Sequence, residues 1–166
     1  MLTETVKPHP LYRVGIFPPL AWGYVGLLLF MIGDGVEAGY LSPFLLQKGI
    51  SQAEVATIFT VYGLATALAA WFSGALSDLW GPRQVMWLGL GIWAACEIPF
   101  LLTLQSSPHY VSILIAYGLR GFGYPLFAYG FLIWITAATP AFRLGTAVGW
   151  FWFCFTGGLP TLGSLF

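Results

Sequence analysis

Long apolar runs separated by short polar stretches organise this chain. A membrane-spanning helix needs about 20 mostly apolar residues, and five runs are long enough, at about Phe17–Leu46, Gln52–Ser77, Pro82–Leu104, Pro108–Ala137 and Pro140–Phe166. The connections between them are short, so successive helices should be antiparallel neighbours. The pattern predicts an all-α, polytopic bundle of about five spans over residues 17–166, preceded by a polar cytoplasmic tail over residues 1–16.

Local signals mark where these helices begin. Ser51 and Glu54 have the spacing of a capping box, in which each side chain binds the other residue's backbone N–H. Proline suits the first helical position, and a hydroxyl side chain suits the N-cap. The prolines expected at first positions are Pro82, Pro108 and Pro140, and the N-caps expected before the last two are Ser107 and Thr139.

The composition agrees with a membrane protein. Of the 166 residues, 58% are hydrophobic and only 7% are charged, whereas soluble domains carry about 25% charged residues. The net charge of zero gives no sign of nucleic-acid binding. Cys96 and Cys154 both lie in apolar runs and are expected to be buried thiols. The spacing of potential ligands predicts no metal site and no cofactor.

The positive charges predict how the chain is oriented. If the N-terminus is inside, Lys7, Arg13, Arg83 and Arg143 are cytoplasmic and only Lys48 is outside. Cytoplasmic loops carry the excess of Lys and Arg. The N-terminus is therefore predicted to be cytoplasmic.

Four ionisable residues fall inside the predicted spans: Asp34, Glu37, Glu97 and Arg120. A charge facing lipid near the bilayer centre costs a few kcal/mol, so these side chains should face a protein interior or a watery cavity. Helical rise places Asp34, Glu97 and Arg120 in the middle to outer part of the membrane. Asp34 and Glu37 are three residues apart and share a helix face.

These charges have two interpretations. In the functional one, Asp34 couples a proton to conformation, because a buried carboxylate stays ionised beside Arg120 and takes up a proton when Arg120 moves away. Glu37 would be a substrate ligand or a second proton ligand. In the structural one, the charges form a static buried ion pair. Glu97 could instead hydrogen-bond backbone freed by a kink at Pro99.

Aromatic residues recur near these charges. Tyr117, Tyr124 and Tyr40 follow the helix faces of Arg120 and Glu37, and Trp150 lies on the fifth run. Flat rings with a polar atom suit a sugar-like solute. Together with Glu97 they are the candidate substrate-binding residues, although ordinary helix packing would use the same residue types.

Residues 74–84 (GALSDLWGPRQ) join the second and third runs. Their Gly74, Asp78, Gly81 and Arg83 resemble the cytoplasmic loop motif of major facilitator superfamily transporters. Leu79 and Pro82 depart from it, where basic residues are usual. In that family the loop braces an inner gate, so the resemblance implies a gating role for these four residues. Asp78 could alternatively cap the third helix.

Four further strings resemble the polyol permease branch of this superfamily, the ribitol and arabinitol permeases: residues 33–44 (GDGVEAGYLSPF), 59–63 (FTVYG), 117–129 (YGLRGFGYPLFAY) and 149–153 (GWFWF). Some members of the branch are labelled α-ketoglutarate permeases. The resemblance implies twelve helices in two halves, of which this chain would be most of the N-terminal half. It also implies a paired Asp and Arg in sugar–proton symporters, similar to Asp34 and Arg120.

The expected function is therefore proton-coupled uptake of a sugar alcohol by alternating access, in the bacterial inner membrane. The partners would be a small solute, protons, lipid and the missing C-terminal half of the same transporter. One rival is a carboxylate permease in which Arg120 binds substrate. Another is a non-transporting protein that packs through small-residue stripes such as Gly63/Ala67 and Ala70/Gly74. No nucleophile–base pair is visible, so an enzyme is not expected.

Overall fold

The computed structural model describes residues 10–106 and 109–162, and helices dominate these ranges. Short 3₁₀ turns at Pro18–Leu20 and Ala141–Arg143 precede α1 and α6, another covers Pro10–Val14, and a π-helical segment, Gly157–Leu162, follows α6. The α-helices are α1 Ala21–Gln47, α2 Gln52–Trp80, α3 Pro82–Ser106, α4 Tyr110–Arg120, α5 Gly123–Ala138 and α6 Leu144–Thr156.

Four helical segments are long and apolar enough to cross a membrane: Pro18–Gln47, Gln52–Trp80, Pro82–Gln105 and Tyr110–Ala138. They correspond to the first four predicted spans, and the fourth joins α4 to α5. The fifth predicted span is represented by α6 and the π-helical segment, up to the last described residue. The all-α polytopic bundle is therefore confirmed, and it fits the N-terminal half of a major facilitator fold.

The predicted helix starts have mixed outcomes. The capping box is confirmed, because the Glu54 N–H donates to Ser51 Oγ and the Ser51 N–H donates to Glu54 Oε2 at 2.9 Å. Pro82 begins α3 as predicted. The prediction for Thr139 and Pro140 is wrong, since Thr139 ends α5 without a side-chain cap and Pro140 precedes a 3₁₀ turn. Ser107 and Pro108 lie outside the described residues.

The polar connection between the second and third spans is shorter than predicted. α2 continues to Trp80, three residues past Ser77, so Asp78 lies in its last turn and is exposed. Gly81 alone interrupts the helix, with φ at 86°, a conformation that residues with a Cβ rarely adopt. Pro82 then starts α3 at once, because proline is preorganised for a first helical position.

A glycine-rich break, at Gly121 and Phe122 and directly before Gly123, separates α4 from α5. These glycines allow close helix approach. A Cβ on Gly121 would lie 2.8 Å from the Tyr62 carbonyl oxygen on α2, and one on Gly123 would lie 2.8 Å from the Trp93 Cα on α3. The break therefore brings the end of α4 against both α2 and α3.

The small residues of α2 are not where the described helices meet most closely. Gly63 and Ala67 are exposed, and nothing described lies within 4 Å of a Cβ placed on Gly63 or Gly74. The close contacts lie elsewhere: Gly35 meets the Leu159 backbone, and a Cβ on Gly158 would lie 3.0 Å from the Leu28 carbonyl oxygen. The α2 stripe therefore makes no close helix contact within the described chain, and its packing against a partner stays a prediction.

Candidate functional site

Arg120 is the last residue of α4, directly before the glycine-rich break, and its side chain lies inside the helix bundle. Its Nη2 donates to Asp34 Oδ1 at 2.9 Å, its Nη1 lies 2.7 Å from Glu37 Oε1, and its Nε lies 2.6 Å from Glu97 Oε2. Three helices, α1, α3 and α4, therefore meet through one guanidinium. We call Asp34, Glu37, Glu97 and Arg120 the charge cluster.

Arg120 and Asp34 of the charge cluster are buried, while Glu37 and Glu97 keep some exposed surface. The side chain of Arg120 is 1% exposed, and those of Asp34, Glu37 and Glu97 are 5%, 19% and 14% exposed. The Asp34 contact has the alignment of a hydrogen bond, whereas the Glu37 and Glu97 contacts are ion pairs without that alignment. With every group ionised, three carboxylates and one guanidinium would leave two negative charges in excess.

The position of the Glu97 carboxylate distinguishes an ion pair with Arg120 from a hydrogen bond to backbone freed by a kink at Pro99. This carboxylate faces Arg120, although Pro99 lies inside α3. The ion-pair interpretation therefore describes Glu97 better than the kink interpretation.

Two residues that sequence reasoning did not place in the site complete it. The Tyr62 hydroxyl of α2 donates to Asp34 Oδ2 at 3.4 Å, and the Trp93 ring lies 5.0 Å from the Arg120 guanidinium carbon. Trp93 is four residues before Glu97, so the shared face of α3 was a usable signal. No local pattern links Tyr62 to Asp34, because that contact depends on how α1 and α2 pack.

The candidate aromatic residues lie in different surroundings. Tyr117 is 1% exposed, and its ring stacks on Tyr62 with centroids 4.5 Å apart. Tyr124 is half-buried and lies next in this row, 6.3 Å from the Tyr62 ring. Tyr117 is thus covered by protein and positions its neighbours, while Tyr124 keeps some exposed surface.

Tyr40 borders a cavity of about 450 Å³ between α1 and α3. Glu37, Tyr40 and Gln47 contribute polar side chains to its lining, while Phe44, Phe100 and Leu104 contribute apolar ones. Glu37 thus belongs both to this cavity and to the charge cluster.

The structure does not bring Trp150 to the charge cluster. Its indole N–H donates to the Val14 carbonyl at 2.8 Å, near the start of the chain. α1 and α6 run parallel, since the Tyr24 hydroxyl binds the Ala147 carbonyl and Gly158 meets Met31. Trp150 is therefore level with the first turns of α1, about 15 Å below Asp34.

The residues of the loop motif form a separate group around the end of α2. The Gly81 N–H donates to the Ser77 carbonyl at 2.9 Å, and the Arg83 guanidinium lies over the Trp134 ring at 5.1 Å. Asp78 is exposed and in the last turn of α2, so it does not precede α3 as an N-cap would. The gating role of these residues stays a prediction.

Comparison with known proteins places this geometry in a family. The family model of the Major Facilitator Superfamily matches residues 23–166. The chain belongs to the major facilitator superfamily. It is thus part of a multi-pass membrane protein, and its family and relatives are transporters rather than enzymes.

Three relatives illustrate the similarity. An alpha-ketoglutarate permease of Bacillus subtilis (strain 168) is 45% identical over 166 residues, which is 100% of this chain and 38% of the relative. A D-arabinitol transporter and a ribitol transporter of Klebsiella pneumoniae are each 39% identical over 145 residues, which is 87% of this chain and 34% of each relative. The chain thus spans little more than a third of their length. No solved structure matches the chain significantly.

Proposed function

We propose that this chain contributes one half of a proton-coupled transporter for a sugar alcohol, working by alternating access in the bacterial inner membrane. The observation that carries the proposal is the contact of Arg120 with Asp34, Glu37 and Glu97 in a buried cluster. Helices beyond this chain would supply the other half, since a superfamily site lies between two halves.

In this proposal Asp34 is the proton carrier and Arg120 is its switch. When Arg120 is close, its positive charge favours the ionised carboxylate, and when it moves away, burial favours the protonated form. The Tyr62 hydroxyl donates to the second oxygen of Asp34 and helps to orient the carboxyl group. Protonation of Asp34 thereby changes which helix contacts are stable. Coupling of proton uptake to a conformational change requires such a dependence.

A neutral solute fits the electrostatics of the cluster. The three carboxylates create a net negative environment, which attracts protons and repels anions at close range. The hydroxyl groups of a polyol can bind the carboxylate oxygens and the tyrosine hydroxyls without adding charge. Tyr40, Glu37 and Tyr124 have exposed surface for this purpose and are the proposed substrate contacts.

A carboxylate permease is the second candidate, because the relative that is 45% identical is named an alpha-ketoglutarate permease. Arg120 would then bind the substrate carboxylate directly. Each guanidinium nitrogen already faces a carboxylate of the protein, so a substrate anion would first have to displace one. The free-energy cost of this displacement favours a polyol substrate over a dicarboxylate.

The test is uptake and exchange of labelled ribitol and arabinitol by the intact transporter in vesicles, with 2-oxoglutarate as competitor. Asp34→Asn should abolish uphill accumulation and spare exchange, because an amide cannot take up the coupling proton. Glu54→Gln is the control, since glutamine preserves the capping box. Accumulation that survives in Asp34→Asn would disprove the coupling site, and uptake of labelled 2-oxoglutarate without uptake of either polyol would favour the second candidate.

A further inference from the structure

Trp93 touches the charge cluster with an aromatic ring rather than with a charge. The Arg120 guanidinium carbon lies over this ring, 5.0 Å from its centroid. Tryptophan attracts a cation more strongly than the other aromatic side chains do, and the attraction grows when the cation is withdrawn from water. The Arg120 side chain is only 1% exposed, so this contact meets both conditions.

The backbone of Trp93 is fixed close to the helix break that follows Arg120. A Cβ on Gly123 would lie 2.6 Å from the Trp93 Cβ and 2.8 Å from its Cα, so the start of α5 touches the middle of α3. Gly123 follows Arg120 by three residues, across the break between α4 and α5. The same close approach therefore helps to set the distance between Trp93 and Arg120.

The Trp93 ring is also held from α1. Its centroid lies 5.1 Å from that of the Phe30 ring. Phe30 precedes Asp34 by four residues, so the two share a face of α1. Trp93 and Glu97 are likewise four residues apart, and both contact Arg120 from α3. A ring that is packed in this way can restrict the position of a guanidinium, whereas a freely rotating side chain cannot.

Tyr117 is the second ring near Arg120, and it differs from Trp93 in where it is attached. Its centroid is 5.4 Å from the guanidinium carbon, but it lies on α4, three residues before Arg120. Tyr117 therefore moves with the helix that carries Arg120. Of the two rings, Trp93 is the one that ties the position of Arg120 to another helix.

We propose that Trp93 is a positioning residue for Arg120, whose ring holds the guanidinium in place among the three carboxylates of the charge cluster. Loss of the ring's attraction would let the guanidinium turn within the site, so that its donors no longer face all three carboxylates. The inference deepens the proposed function and rests on it for the effect on transport. Uphill uptake needs Arg120 in place beside Asp34, whereas exchange does not use the coupling proton.

Fluorinated tryptophan, incorporated at position 93 of the intact transporter, tests the ring without emptying the site. Fluorine withdraws electron density from the ring face and weakens its attraction for a cation, while the size of the ring changes little. In detergent, the thermal unfolding midpoint should fall stepwise as fluorines are added one by one. No side chain is removed, so the variants should still fold.

Trp71 is the matched control for this series. Its ring also packs on one phenylalanine, Phe72, with centroids 4.8 Å apart, but none of the described residues places a cation over it. Fluorination of Trp71 should leave the midpoint almost unchanged. A midpoint that does not respond at Trp93, or that responds equally at both positions, would overturn the proposal.

Transport by the same proteins then tests the positioning role, with whichever labelled solute the wild type carries. The initial rate of uphill uptake should fall with each fluorine at Trp93, to roughly 10-fold below wild type for the fully fluorinated ring, while exchange changes little. A ring that only fills space would not respond in this way, so uphill uptake that stays constant across the series would also overturn the proposal. Failure of the Asp34→Asn test would leave the unfolding series unchanged, so the two proposals can fail separately.

Discussion

At the scale of single residues, Arg120 is the centre of the site because a guanidinium has donors on three sides. Its Nε, Nη1 and Nη2 each face a different carboxylate, and its planar face lies near the rings of Trp93 and Tyr117, at 5.0 Å and 5.4 Å. A lysine ammonium is a compact point charge without this fork or face. Charge alone is therefore not enough at this position.

The substitution Arg120→Lys in the intact transporter tests whether the three-sided contact is needed. Lysine keeps the positive charge but cannot contact all three carboxylates at once, so we expect transport to fall at least ~10-fold while the protein still reaches the membrane. Initial uptake rates, normalised to the amount of protein in the membrane, measure the effect.

Arg143→Lys provides the matched control, because Arg143 is exposed outside the cluster. It should change uptake little, as surface substitutions usually do. Wild-type uptake by Arg120→Lys would show that positive charge is sufficient and that the three-sided contact is not required.

At the scale of helices, glycines decide which faces meet. Gly121 and Gly123 let the end of α4 and the start of α5 approach the α2 and α3 backbones, which places Arg120 beside Tyr62 and Trp93. Gly158 does the same for the contact between α1 and the segment after α6. In a bilayer, such close approach is a main source of helix association, because lipid gives no hydrophobic driving force.

The α1 contact predicts the effect of Gly158→Ala. A Cβ there would lie 2.5 Å from Met31 Cβ and 3.0 Å from the Leu28 carbonyl oxygen, so the helices must separate. We expect a loss of stability of ~1–3 kcal/mol, as for other overpacked sites. Thermal unfolding of the purified protein in detergent measures it.

Gly149→Ala is the control on the same helical stretch, because nothing described lies within 4 Å of its added Cβ. Alanine should leave stability there unchanged or raise it slightly, since it favours helix over glycine. Equal stabilities for the two variants would contradict the close contact at Gly158.

At the scale of the whole molecule, charge distribution predicts the orientation in the membrane. Arg83 follows α2 and Lys48 follows α1, so they lie at opposite ends of the bundle. The excess of positive charge on the side of Arg83 predicts that this side is cytoplasmic. The cavity beside Glu37 lies near the Lys48 end, so the same rule predicts that it faces the outside.

Cysteine labelling checks this orientation. In a Cys96→Ala, Cys154→Ala background, Gln52→Cys should react with a membrane-impermeant maleimide in intact cells. Gln84→Cys should react only after the cells are permeabilised. Both glutamines are exposed, each in the first turn of its helix, so they form a matched pair. The reverse labelling pattern would show that the N-terminus is outside.

The sequence by itself determined the features that depend on neighbouring residues. Apolar run length defined the spans, the Ser51 and Glu54 side chains defined the start of α2, and the scarcity of charge singled out Asp34 and Arg120. Such features are local because hydropathy, capping and proline geometry act within a few residues. The helix ends were less well predicted: α2 continues to Trp80, and Thr139 follows the end of α5 instead of capping the next helix.

Only the tertiary structure decided which of these residues meet. Arg120 touches three carboxylates, Tyr62 joins Asp34, and Trp150 lies about 15 Å away from the cluster. Each outcome depends on how far one helix is rotated and shifted against another. The close backbone contacts at the glycines fix that rotation and shift. A helical period predicts that residues share a face, but only packing between helices determines what that face meets.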